Sequence, residues 1–499
     1  MRNIISKSVA IALGIGAVLP SAMATNGMNM EGYGPEATGM GGASMAYDNG
    51  TAAMMNNPAT IGLMDDNSSR LDAALGSLSP SINTSVGTYG SADSSADQFY
   101  MPAVGFATKQ GEIGYGFGVF AQGGMGTEYA ANSPLAAGSG ERVKSQVGVG
   151  RILVPVTFDV NNSISVGATL DYVWADMDLM MAMSGYQMGA IADPSGAAGS
   201  MGGSMAGSLS TAMTYGIMDP SAGMGSAVNW ARFDFQNGDP MRGAAHSDGY
   251  GFKLGMVFKM DSKLTLGASF HSETSLDDMT GAANVAFNAN IDDNYLAQTW
   301  DGGTGGTAAG TYTAVTIPVS GKIIVKDFQW PSAIGMGAAF KISDSIMFAA
   351  DFKRLMWSDV MDSFKMSFIA DGTQTNPMAA GYAGQVLDVS MKQNWKDQDI
   401  IQLGATFSLS PALALRAGYN YAENPIPDQY MNPLFPAIIE HHLTGGLGYK
   451  LNKDQAIDFS VTYAPEVSAT NPGDGTDNIP AVTTTHSQTN WQLMYSVGF

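Results

Sequence analysis

Apolar and polar residues alternate along much of this chain, and the alternating runs come in pairs. Leu403, Ala405, Phe407 and Leu409 are interleaved with Gln402, Gly404, Thr406 and Ser408; after Ser410 and Pro411 the apolar face resumes at Leu413, Leu415, Ala417, Tyr419 and Tyr421. Period-2 alternation predicts a strand with one oily face, and two runs joined by a short turn predict a hairpin. The design recurs at 443–463 through Asn452, Lys453 and Asp454, at 250–270 through Asp261, Ser262 and Lys263, and at 334–352 through Ser343 and Asp344. It recurs again at 152–172 through Asn161 and Asn162, and at 99–120 through Lys109, Gln110 and Gly111. Adding a weaker first strand near Leu71 to Leu78 and a last strand ending at Phe499 brings the expectation to about fourteen strands, an even number as bacterial barrels use.

The last strand is the most informative. Trp491, Leu493, Tyr495, Val497 and Phe499 alternate with Gln492, Met494, Ser496 and Gly498. Roughly 9–11 residues of this pattern cross a bilayer in a closed barrel, where every backbone group finds a neighbour. Tyr495 and the closing Phe499 resemble the signal by which outer-membrane barrels are recognised by their assembly machinery. Turns within the pairs are short, whereas the connections 177–245, 274–330 and 358–398 are long. Short turns on one rim and long loops on the other match the periplasmic and extracellular ends of such barrels. The expected fold class is all-β, a transmembrane antiparallel barrel, with a soluble solenoid or sandwich as the alternative.

The first 24 residues read as an export signal: Arg2 and Lys7 precede the apolar run Val9 to Leu19, and Ala22, Met23 and Ala24 offer a cleavage site. The resulting expectation is residues 1–24 as signal peptide, 25–66 as a separate N-terminal segment, and 67–499 as the barrel, in a Gram-negative outer membrane. The chain has no cysteine, so neither disulfides nor thiolate metal sites are available. Charged residues make up 13%, about half the usual share, and Gly is abundant, which suits lipid-facing walls and turns. The net charge of −21 argues against nucleic-acid partners. Five histidines, with His441 and His442 on opposite strand faces, assemble no catalytic or metal set. The expectation is a non-enzyme without cofactor, although a barrel lipase is formally open.

Residues 25–66 do not alternate. They contain Gly39-Met40-Gly41-Gly42-Ala43 and Asn56-Asn57-Pro58-Ala59, where Gly allows close backbone approach and Pro58 holds Asn57 extended. With Phe270-His271-Ser272-Glu273, Trp357-Ser358, Trp395-Lys396-Asp397, Leu415-Arg416-Ala417-Gly418-Tyr419, Asn424-Pro425-Ile426-Pro427 and the closing Tyr495 to Phe499, these motifs resemble the FadL-like outer-membrane transporters of long-chain fatty acids and other hydrophobic compounds.

The resemblance implies a barrel of fourteen strands whose lumen holds a hatch containing Gly41, Gly42, Asn57, Pro58 and Ala59. It implies passive uptake by a monomeric channel, from an external groove to a lumen pocket and out through a gap in the wall. A gap needs a broken strand, and alternation fails at Gln122-Gly123-Gly124-Met125-Gly126, where Gly123, Gly124 and Gly126 mark a bulge or kink. The implied ligand-binding residues are Lys396 and Arg416 as cations for an acidic head group, with His271 and Trp357. His271 stands where relatives often carry Arg, consistent with a less acidic ligand such as an alkane, an aromatic or an alcohol. The Met177 to Met224 stretch, with ten methionines, reads as a collecting groove or as a low-complexity loop. Expected partners are the hydrophobic ligand, outer-membrane lipid and the assembly machinery. A diffusion porin for small polar solutes is the competing function.

Overall fold

The computed structural model describes residues 26–192, 202–211, 228–237, 243–293 and 311–499. The export signal at 1–24 and most of the external loop at 291–316 lie outside the described residues.

The strand Ser68–Val86 pairs on one side with Phe99–Gln110 and on the other with the last strand, Val482–Gly498. First and last strands meet over the whole run from Arg70↔Gly498 to Val86↔Val482, which closes an antiparallel barrel. Closure pairs the first strand with the last, the condition for strands in lipid. Val154, Val156, Leu170, Leu254, Leu403 and Leu443 are exposed on the outer face, while Arg151, Asp171, Lys253, Gln402, Asn420 and His442 are buried inside. A soluble sheet protein would be arranged the other way round; apolar-out and polar-in is the pattern of a transmembrane barrel.

The expectation of about fourteen strands requires correction: among the described residues the sheet contains twenty-two strand segments. Several wall strands break and resume, and the long connections carry strands of their own. Stretch 177–245 holds the end of Ile164–Ser184 and the segment Val228–Phe235; 274–330 holds Met279–Asp292 and Tyr312–Lys326; 358–398 holds Ser363–Ala370 and Val386–Lys392. Asp327 and Asn394 take left-handed backbone (φ 56° and 48°), which interrupts the period-2 pattern and made the strands beyond them look like loop. The first strand is also longer than its weak alternation implied, at 19 residues.

Residues 26–64 form no wall strand. They fold into the short helices Pro35–Gly39 and Ala53–Asn56 and the 3-10 turns Gly50–Ala52 and Pro58–Leu63. Asn57 is extended (φ −145°, ψ 105°), as the residue before Pro must be, and its side chain accepts from the Ala59 N–H to cap the last turn. The segment is buried almost throughout, and its hydrogen bonds go to strands all round the ring. Gly41 N–H donates to Thr444 Oγ1 (2.9 Å), Ser44 N–H to Asp351 Oδ2 (2.6 Å) and Thr51 N–H to Asp72 Oδ2 (3.0 Å). Asn57 Nδ2 donates to Met256 O (3.3 Å), Thr157 Oγ1 to Pro58 O (2.8 Å) and Tyr33 OH to Gln122 O (2.6 Å). The segment is thus bonded to six strands of the wall.

Gly41 and Gly42 explain how closely it fits. Both have positive φ (69° and 88°). A Cβ on Gly41 would lie 2.5 Å from Tyr419 O in the wall, and one on Gly42 1.9 Å from Glu31 O and 2.1 Å from Gln402 Nε2. Only Gly satisfies both the conformation and the space.

Candidate functional site

The wall is incomplete beside the Gly-rich stretch. The strand Ile113–Tyr129 pairs with Phe99–Gln110 from Gln110↔Ile113 only as far as Val104↔Val119. Beyond that point Phe99 to Ala103 remain paired to the first strand, and Phe120 onward to Val143–Asn161, so the two part company. Pro102 lacks an N–H and stands on one lip of the separation. On the other lip the register slips between Ala121 and Gly123, leaving Gln122 as the extra residue of a bulge.

The N-terminal segment reaches this lip. Gly124 N–H donates to Met28 O (3.0 Å), and Asn29 bridges to Gly123. A Cβ on Gly123 would come within 2.2 Å of Met28 O, so Gly is required here for close approach. Gln122 Nε2 donates to Asn29 Oδ1 (2.8 Å), and Gln122 Oε1 accepts from Arg151 Nε. Gly126 lies past the bulge, in regular pairing with Gln146, where a Cβ would meet Ser145 O at 2.7 Å. A small cavity of about 40 Å³ opens at the separation, lined by Met30, Tyr33, Met101, Pro102, Phe120 and Ala121 among others.

Inside, three consecutive strand breaks each turn one tryptophan inward. Trp357 is fully buried, edge-on to Trp330 at 5.6 Å and to Trp395 at 5.2 Å, and its N–H donates to Gln398 Oε1 (3.3 Å). Next to Trp330 a second cavity, about 30 Å³, is lined by Asn29, Tyr33, Arg151, His271 and Lys353. His271 Nε2 lies 3.1 Å from Asn56 O, so it braces the turn before Pro58. Arg151 Nη1 and Lys253 Nζ share Asp171 Oδ2, the former at 2.8 Å. Lys353 makes no ion pair among the described residues.

His271 and Trp357 thus border the same interior region. Arg416 is elsewhere, held between Asp458 Oδ1 (2.8 Å) and Glu36 Oε1 (3.2 Å), and so ties the N-terminal segment to the wall. Burial raises the Glu36 carboxyl above its ordinary value against the opposing pull of Arg416. Lys396 is exposed, with its backbone N–H bonded to Pro425 O (2.8 Å). Arg151, Asp171, Lys253 and Lys353 escaped the sequence reading. Their parity was legible: Lys253 alternates with the outward Phe252 and Leu254, and Lys353 follows the outward Phe352. Tyr495 is on the outer face, and Phe499 stacks on Phe106 at 6.3 Å.

An external groove of about 210 Å³ is lined by Met181, Met183, Ile191, Tyr430, Met431 and Leu434 among others. The methionine-rich stretch is therefore partly wall: Met177, Met180, Met181 and Met183 belong to the strand Ile164–Ser184. Met201, Met213, Met218 and Met224 lie outside the described residues.

A closed barrel with an oily exterior, a filled interior and a parted seam defines an outer-membrane transport channel. The chain matches the Outer membrane protein transport protein (OMPP1/FadL/TodX) family over residues 12–497 and belongs to it. The Pseudomonas putida toluene transporter TodX is 25% identical, covers 94% of this chain and 99% of its own, and superposes with a TM-score of 0.75. The Ralstonia pickettii toluene transporter TbuX is 25% identical with the same coverage and a TM-score of 0.69. A Pseudomonas aeruginosa FadL homologue, 15% identical over 94% of this chain and 99% of its own with a TM-score of 0.66, shares the fold. A Chlorobium limicola protein, described as uncharacterized and encoded in the 5′ region of the phosphoenolpyruvate carboxykinase gene, is 45% identical over 83 residues. That match spans 17% of this chain and 40% of the relative's length.

Proposed function

We propose that this protein takes up small hydrophobic molecules passively across the outer membrane. Residues 25–66 act as the hatch, the groove at Tyr430 and Leu434 collects ligand, and the separation between Phe99–Ala103 and Phe120–Gly126 is the sideways exit into the lipid. The observation that carries the reading is the end of strand pairing at Val104↔Val119 beside an apolar cavity. A ligand leaving there passes from apolar lining to lipid tails without crossing water, so its transfer costs little. Neutral hydrocarbons of the monoaromatic kind fit best. Arg416 is occupied by two carboxylates and Lys396 is solvent-exposed, so neither offers a buried free cation for a head group.

Fatty acids form a second reading, favoured by Lys353, which lines the cavity beside His271 and makes no salt bridge among the described residues. A carboxylate there would be paired rather than buried alone. Uptake of radiolabelled toluene and radiolabelled oleate by cells lacking their own hydrophobic channels tests both readings. Toluene uptake dependent on this protein supports the first, and oleate uptake the second. Uptake of neither, with large steady ion currents in planar bilayers, would replace both with a diffusion porin.

A further inference from the structure

The connection between Leu413–Ala422 and His441–Lys450 folds into the mouth of the barrel rather than away from it. A surface loop of this length ordinarily exposes its tip. Here Ile426, Met431, Leu434, Ala437, Ile438 and Ile439 are buried. Pro433 and Leu434 present carbonyls as acceptors, and hydroxyls on the opposite wall fill them. Tyr129 OH donates to Pro433 O (3.0 Å), Thr127 Oγ1 lies 3.3 Å from the same oxygen, and Ser145 Oγ donates to Leu434 O.

Those hydroxyls stand on Ile113–Tyr129 and Val143–Asn161. Going round the ring from the loop's own base to reach them passes Gln455–Asn471, Val482–Gly498, Ser68–Val86 and Phe99–Gln110. The loop therefore crosses the mouth as a chord. It is also held along its length, by Asn471 Nδ2 donating to Met431 O (3.1 Å) and by His486 Nδ1 at 3.0 Å from Pro436 O.

It joins the groove to the N-terminal segment: Tyr430, Met431 and Leu434 line the external groove, and Met431, Leu434 and Ile438 belong to the same apolar cluster as Met28 and Met30. Thr127 and Tyr129 also lie on the strand that carries Gly123, so the latch and the lip of the separation share one element.

We propose that residues 423–440 are an inner gate between the external groove and the lumen, latched shut by the hydroxyls of Thr127, Tyr129 and Ser145. The inference rests on the transport reading for its purpose, but not for its test. The latch consists of neutral hydrogen bonds, weak enough to exchange with thermal motion. The gate's faces are apolar, so an apolar ligand replaces its contacts as it passes and a hydrated solute does not.

The chain has no cysteine, so introduced thiols react alone. In full-length protein reconstituted in sealed vesicles, Ser269→Cys, in the cavity beside His271 and against Met45 of the N-terminal segment, is labelled from the extracellular side with a charged maleimide. Adding Thr127→Val and Tyr129→Phe removes two neutral latch bonds and should speed labelling about tenfold. An unchanged labelling rate, with the barrel folded by heat-modifiable migration, overturns the gate. Separately, Ser145→Cys with Leu434→Cys, bridged by a short cleavable bis-thiol reagent, should stop radiolabelled toluene uptake until the bridge is cut; uptake unaffected by the bridge also overturns it. If unbridged and wild-type proteins take up no toluene, the transport reading fails, and the labelling rate decides on the gate independently.

Discussion

Asp351 is the place where the N-terminal segment hangs on a wall charge, and replacing it should loosen the segment without opening the barrel. One oxygen, Oδ2, accepts from Ser44 N–H at 2.6 Å and Met45 N–H at 3.0 Å. The carboxylate has room because Gly337 faces it across the strand pair; a Cβ there would lie 1.8 Å from Oδ1. Hydrogen bonds to a charged group contribute about 1.5–3 kcal/mol each, so Asp351→Ala removes at least about 3 kcal/mol of local attachment. At 1.4 kcal/mol per decade, amide exchange at Ser44 and Met45 should accelerate by about a hundredfold if it proceeds by local release. Asp351→Asn keeps an acceptor but loses the charge, and should show roughly half the free-energy effect. Hydrogen exchange read by mass spectrometry on peptides covering 40–48, with heat-modifiable migration reporting the barrel, measures both. Unchanged exchange in the Ala variant would refute the anchor, and equal acceleration in both variants would refute the charge term.

Gly123→Val should displace Met28, whose carbonyl lies 2.2 Å from the new Cβ, and reduce uptake of the transported ligand while leaving the barrel folded; normal uptake would remove the separation from the route. Lys353→Met should weaken oleate binding by about tenfold or more, the loss of one charge-assisted contact, and leave toluene binding alone. Lys396→Ala should change neither, because Lys396 is exposed; isothermal titration on both variants settles the assignment. Asp171→Asn strands Arg151 and Lys253 as two buried cations and should cost about 3–5 kcal/mol in urea unfolding within lipid vesicles. A shift below about 1 kcal/mol would show that water already screens the trio.

Much of the wall was legible because alternation is a local property. Leu403, Leu415, Leu443, Phe459 and Leu493 point outward as their parity required, and the Gly123 stretch marks a real bulge. The interior was less legible. Likeness of motif points to Lys396 and Arg416, yet the first is exposed and the second is tied to Glu36 and Asp458. Whether a cation is free depends on which carboxylates other strands bring beside it. Arg416 meets Asp458 across 42 positions of sequence, and Lys253 meets Asp171 across 82. Left-handed residues at Asp327 and Asn394 hid the upper strands for a different reason, since they shift parity without ending the pairing partnership that follows.

The period-2 pattern by itself determined which face of each strand meets lipid, that first and last strands carry matching oily faces, and that the chain before Ser68 is not wall. These follow from neighbour-to-neighbour geometry, because a strand can only point successive side chains to opposite sides. Tertiary structure alone decided that pairing stops at Val104↔Val119, that Met28 rests against Gly124 there, that the loop at 423–440 crosses the mouth, and that Lys353 makes no salt bridge among the described residues. Each of these is a distance between residues far apart in the chain, set by barrel closure and by what fills the lumen.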